Sequence, residues 1–231
     1  MSPPLRWAPK LIFLLLVAGG ALAAPSYAQV PVILVPGWLN SDSDLQLIRT
    51  RLLQAGWADN RVEAISFSDP AGSNRDHAVE LGLAVAAMLE RTGAKEIDVL
   101  AHSMGGLAAR WHILTQPDHS IRRAVFLGTP HRGTLSAYLA FGKSRPEMLP
   151  SSKFLDSLNT LQPTPLGVES WTIRTLIDTR IIPGSSATLP GVEDHRLCCP
   201  CLLYTSPSPR DQRGSGVGAG GLKKKRGGGG G

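Results

Sequence analysis

The sequence predicts an α/β protein with a mostly parallel central sheet and helices on both faces. Three observations carry this. Short apolar runs recur at residues 31–35, 62–67, 97–101, 121–127 and 171–176. Segments of helical length, with apolar residues every three or four positions, separate the first four of them. The runs themselves are nearly continuous in Val, Ile, Leu and Ala, as strands buried on both faces are.

In order, PVILV ends at Pro36-Gly37-Trp38, a buried strand followed by a turn. From Asp42 to Gly56 the spacing of Leu45, Ile48, Leu52 and Leu53 predicts a helix that Gly56 stops. A second strand spans Val62 to Phe67. A loop at 69–73 leads into a long helix ending at Gly93, with Ala78, Leu81, Val85, Met88 and Leu89 along one face. The central strand, Ile97 to Ala101, stops abruptly at His102-Ser103-Met104-Gly105-Gly106, and residues 107–116 read as a helix. Ile121 to Leu127 is the next strand.

Between Gly133 and Ser170 the apolar residues cluster without a sustained period and are punctuated by Pro146, Pro150 and Pro163. This segment reads either as a small cap or as a connection carrying one or two short helices. Its brevity favours the connection, and so a minimal lid or none. Strand character returns from Trp171 to Leu176, ending at Ile177-Asp178-Thr179, and a last strand begins near Val192.

The chain of 231 residues divides into three stretches. Residues 1–28 hold Arg6, Lys10, an apolar run from Leu11 to Ala24, and small residues before Ala28. That is the layout of a secretory signal peptide, predicting a secreted or periplasmic protein; the run is short for a spanning helix, which takes ~20 apolar residues. Residues 29–197 form the folded domain. Residues 198–231 lack periodicity and are rich in Pro, Ser and Gly, so they are expected to be disordered. The stretch CLLYTSPSPRD reads as translated sequencing adapter, making this tail an assembly artefact; a flexible basic appendage is the other reading.

The net charge of +6 resides at the ends, +2 before residue 29 and +5 after 197, leaving the body at −1. A near-neutral body gives no reason for a nucleic-acid partner. The cysteines, Cys198, Cys199 and Cys201, have neither disulfide-framework nor zinc-site spacing, and no cofactor or metal is called for.

Chemistry points to Ser103. A strand turning sharply into a helix with Ser at the apex is a nucleophile elbow, which holds Oγ proud of the sheet's carboxyl edge. Small residues two positions either side let strand and helix approach, and Ala101 and Gly105 supply them, with Ala where Gly is usual. The helix start adds an unpaired amide, that of Met104, aimed where an oxyanion would form.

With the elbow, Pro36-Gly37-Trp38, the turn Gly128-Thr129-Pro130-His131-Arg132-Gly133-Thr134 and Asp178 in order, residues 30–197 resemble the small secreted bacterial lipases of the α/β-hydrolase superfamily. The most specific parts are GAKEIDVLAHSMGG and VILVPGW. The resemblance implies hydrolysis of carboxylic esters, with lipid-like acyl groups; the protein is expected to be a monomer that contacts a lipid interface transiently. Ser103 matches the nucleophile, Asp178 the acid, and Trp38 and Met104 the residues whose amides form the oxyanion hole. Pro36 stands where the family often has His. A short-chain esterase or acyltransferase on the same scaffold is a second reading, and a non-catalytic lipid binder a third.

The family's catalytic His follows the last strand, where this chain has CCPCLL. Six histidines remain. His77, His112 and His119 read as solvated or capping. His102 neighbours the nucleophile on a turn where side chains diverge, His131 lies in a turn that shapes the pocket, and His195 falls within the last strand. The expectation is a chain cut off before its base, with no imidazole within reach of Ser103 Oγ.

Overall fold

The computed structural model describes residues 29–175 and 178–197; the expected signal segment and the tail with its cysteines lie outside them. Six strands are present in that region: β1 (Val32–Val35), β2 (Val62–Ala64), β3 (Ile97–His102), β4 (Ile121–Leu127), β5 (Glu169–Thr175) and β6 (Glu193–Leu197). They form one sheet in the order β2-β1-β3-β4-β5-β6, every pair parallel. From β1 the chain steps outward to β2, then crosses back to place β3 on the other side. The strand order therefore reverses between β1 and β3, and the crevice outside their carboxyl ends is where sites form in such sheets.

The helices are α1 (Gln46–Gln54), α2 (Asn74–Thr92), α3 (Gly105–Thr115), α4 (Ser144–Met148) and α5 (Lys153–Leu161). Successive strand residues face opposite ways. Ile33, Val35, Val99, Ala101, Ala124 and Phe126 pack beneath α2 and α3, meeting Leu81, Val85, Met88, Ala108 and Ile113. Val32, Leu34, Leu100, Val125 and Leu127 join Leu45 and Leu52 on the opposite face. β1 is buried on both faces throughout, as are β3 up to Ala101 and β4 from Ala124 onward, which explains why these runs lack polar alternation.

Three elements differ in detail from expectation. β2 ends at Ala64, and the helix expected from Asp42 opens with a 3-10 turn, Asp42–Leu45. The segment after Gly133 carries three short helical pieces, the 3-10 turn Leu135–Leu139, α4 and α5. It builds its own core against the elbow helix, with Ala137, Met148, Phe154, Leu155 and Leu158 around Met104 and Leu107.

That segment is bolted down. Glu147, almost fully buried, accepts from the Ser73 hydroxyl (2.8 Å), the Asn74 amide (2.6 Å), Asn74 Nδ2 (2.9 Å) and Arg75 Nη1 (2.9 Å). Its carboxylate thus caps the amino end of α2, where the helix dipole favours negative charge. Arg75 in turn lies over the rings of Trp111 and Phe154, 4.5 and 4.9 Å from their centroids. The Ser144 amide donates to the Ala71 carbonyl at 3.1 Å. Glu147→Ala strands a buried amide and frees the arginine, so urea unfolding is expected to show a loss of about 2–4 kcal/mol. Glu147→Gln, which keeps the acceptor oxygen, is expected to lose less.

Two histidines are corrected here. His77, read as solvated or capping, is fully buried, stacked on Phe67 at 3.9 Å and bonded through Nε2 to the Asp69 carbonyl at 2.8 Å. His112, read likewise, is 5% exposed and fills the space over Gly82, where an added Cβ would sit 2.9 Å from its Cε1. Helical periodicity treats imidazole as polar; both rings lie on the inward face and act as packing groups.

Candidate active site

The elbow is tight. Ser103 has φ +52°, in the left-handed region that an L residue enters only when its surroundings hold it there. Its amide donates to the Leu127 carbonyl of β4 at 2.8 Å, and its carbonyl accepts from Gly106 at 3.1 Å. Three glycines allow neighbouring loops to close on it. A Cβ on Gly105 would lie 2.2 Å from the Pro36 carbonyl oxygen, one on Gly106 2.1 Å from Thr129 Oγ1, and one on Gly37 2.9 Å from Ser103 Cβ. The loops after β1, β3 and β4 therefore touch at this serine.

Ser103 is half-buried and faces two cavities. One, of about 40 Å³, is shared with Asn40, His102, Gly128, Asp178 and Arg180. The other, of about 280 Å³, is lined by Trp38, Pro130, Ala137, Met148 and Ile181 among others. The structure thus brings Ser103 and Asp178 to one cavity and Ser103 and Trp38 to the other.

Asp178 follows β5 at the same sheet edge. Its Oδ1 accepts from the amides of Arg180 (2.7 Å) and Ile181 (2.9 Å), and Oδ2 lies on the Gly128 side, 3.6 Å from where a Cβ on that glycine would stand. Met104 sits at the start of α3, and among the described residues no carbonyl accepts from its amide or from that of Trp38. The Trp38 indole donates to the Phe141 carbonyl at 3.2 Å and meets the Phe141 ring edge-on at 5.1 Å. The inserted segment therefore fixes the residue beside the serine.

None of the six histidines hydrogen-bonds Ser103 among the described residues. The His102 ring turns under Gly37, where an added Cβ would lie 3.0 Å from Nδ1; burial, reinforced by the Arg180 guanidinium, lowers its pKa to about 4. His131 is fully enclosed against Phe126 and Arg110, and burial, then the charges of Arg110 and Arg132, hold its pKa well below the usual imidazole value. His119 accepts from the Ile121 amide at 2.9 Å, and His195 on β6 lies 3.3 Å from Glu193 Oε1.

Sequence reasoning missed Arg180, which borders both cavities, and Gly37, whose missing side chain admits the serine. Gly37 lies between Pro36 and Trp38 in a turn, so close approach could have been inferred there. Arg180 carried no signal, because it reaches the site by the course of the loop after β5. Among the described residues no group of three or more His, Cys, Asp or Glu could hold a metal ion, and no helix is long and apolar enough to cross a membrane.

Known proteins resemble the chain at several levels. The solved structure of Bacillus licheniformis lipase BlEst2 in mature form superposes with a TM-score of 0.61 at 17% identity, covering 79% of this chain and 87% of that one. Aspergillus fumigatus lipase B gives 0.64 at 20% identity, over 78% and 49%. These similarities establish the α/β-hydrolase fold. A triacylglycerol lipase of Burkholderia plantarii is 30% identical over 129 residues, 49% of this chain; the match spans about a third of that relative's length, 34%. Residues 29–145, just over half of the sequence, match the model of the class 2 lipases, and the chain belongs to that family.

Proposed function

We propose that this protein is a serine hydrolase of carboxylic esters with lipid-like acyl groups. The observation that carries the reading is Ser103 at φ +52°, its Cβ against Gly37 and its flank open to a largely apolar cavity. Ser103 Oγ attacks the acyl carbon and a base takes its proton. The carbonyl electrons move onto oxygen, which the Met104 and Trp38 amides receive; such donors are worth roughly 2.7–4 kcal/mol each where measured. Collapse breaks the C–O bond, the alcohol leaves with the proton, and water releases the acyl group by the same route. Asp178 is the carboxylate that would orient and steady the imidazolium.

None of the six imidazoles hydrogen-bonds Ser103 among the described residues, and none is assigned as the proton acceptor: His131 is enclosed against Phe126 and Arg110, and His102, though it borders the small cavity, turns under Gly37. Turnover by this chain alone is therefore slow, with the oxyanion donors and binding left to act. The protein is read as an exported monomer that meets lipid interfaces transiently. The apolar stretch before residue 29 supports export, and exposed Leu39, Leu135, Tyr138, Leu139, Phe141 and Ile182 support the interface contact.

Reaction with an alkyl fluorophosphonate, followed by mass spectrometry, tests this. Ser103 is expected to be labelled slowly, faster with imidazole added, and not at all in Ser103→Ala. Equal labelling of Ser103→Ala, or none of the unaltered protein with imidazole present, would remove the assignment.

A further inference from the structure

Arg110 is a fully buried cation in the middle of α3. Its guanidinium meets only neutral groups: Nη1 donates to Asn159 Oδ1 at 3.0 Å and lies 3.5 Å from His131 Nδ1, while Nη2 donates to the Gln162 carbonyl at 2.7 Å and reaches the Pro163 carbonyl at 3.4 Å. No carboxylate pairs with it among the described residues. Burial accordingly lowers its pKa to about 10, which still leaves it charged at neutral pH. An unpaired buried charge is costly to keep, and one without an ionic partner needs another reason to be there.

Its contacts supply one. Asn159 closes the circuit by donating from Nδ2 to the His131 carbonyl at 2.9 Å. Arg110 thus ties three separate pieces of chain to the elbow helix: the turn at Pro130-His131, the end of α5, and the Gln162-Pro163 exit. Pro130 lines the 280 Å³ cavity directly. α5 backs two further walls, since Phe154, Leu155 and Leu158 pack with Ala137 and Met148. Arg110 itself does not border that cavity.

We propose that Arg110 is a positioning residue that sets acyl-chain selectivity from outside the cavity, by holding the Pro130 turn and α5 at a fixed separation from Ser103. This rests on the hydrolase reading above and adds to it the means by which the acyl wall is held. A rigid guanidinium fork with several planar donors can fix three acceptors at once, whereas an ammonium is a point charge that cannot. The loss on removing it therefore falls on substrates long enough to touch the far wall.

The test compares the rates at which Ser103 reacts with an ethyl and a dodecyl p-nitrophenyl phosphonate, imidazole present throughout. In Arg110→Met and Asn159→Ala the ratio of long-chain to short-chain rate is expected to fall by about fivefold or more, the size of effect that pocket fit commonly carries. Arg110→Lys is expected to fall between. An unchanged ratio in a folded variant, judged by near-ultraviolet circular dichroism, overturns the proposal. Asn159→Ala keeps the guanidinium and so decides the matter if Arg110→Met does not fold. Failure of the unaltered protein to react with either probe would instead overturn the hydrolase reading, and the positioning role with it.

Discussion

Gly105→Ala is expected to unfold the protein or to displace the elbow, at a cost above about 3 kcal/mol, the upper end for overpacking by a single methyl. The added carbon would stand 2.2 Å from the Pro36 carbonyl oxygen and 2.9 Å from Val35 Cγ1. The first obstacle is backbone, so no rotamer change relieves it. Either α3 lifts from β1 or the loop carrying Trp38 retreats, and each movement separates the Met104 and Trp38 amides from Ser103. Gly106→Ala meets a different obstacle, the Thr129 side chain, with Oγ1 at 2.1 Å, Cγ2 at 2.6 Å and Cβ at 2.8 Å. A second substitution, Thr129→Gly, removes all three atoms. Urea unfolding should therefore show Gly106→Ala rescued in the double variant, with a favourable coupling of about 1–3 kcal/mol, and Gly105→Ala not rescued. Tolerance of Gly105→Ala, with an unaltered midpoint and unaltered labelling of Ser103, would mean that the loops after β1 and β3 do not meet.

What could be read from the sequence follows from how local each cause is. The strands were legible because both faces are buried, which leaves a run such as Val-Ile-Leu-Val with no polar position. Ser103 was legible because strand, small residues and helix start all fall within ten positions. The inserted segment was legible only as apolar clusters. Its anchor, Glu147, caps a helix that starts seventy-three residues earlier at Asn74, and the sequence around Glu147 is silent on that pairing. Arg110 and His112 were obscure for a related reason. Each is a polar residue on a helix face that expectation assigns to solvent, and only the packing of α3 against α2 and α5 turns that face inward. The buried polar groups, more than the hydrophobic core, are where local pattern and tertiary structure part company.

Those same imidazoles make stability strongly dependent on pH. His112 has its pKa lowered to about 4, chiefly by burial, and His102 to about 4 for the same first reason. His131 is lowered well below the ordinary value, and His119 shifts the same way. In the unfolded chain each returns to about 6.5. Between the two values for His112 and His102 the unfolded state binds more protons, so their stabilisation is complete above about pH 6.5 and drains away as pH falls toward 4. For His112, 5% exposed, the full shift corresponds to about 3 kcal/mol, at up to about 1.4 kcal/mol per pH unit. Asp98 acts in the opposite sense: burial raises its pKa despite the Arg122 guanidinium, so its contribution holds on acidification and weakens as pH rises. The imidazoles outnumber it, and urea midpoints are expected to drop steeply between pH 6.5 and 4.5. His112→Gln should flatten that slope by about one proton while lowering stability at pH 7, because the ring that fills the space over Gly82 is lost. A midpoint that stays level from pH 7 to 4.5 would show that these rings are not held neutral, and that water reaches the space between α2 and α3.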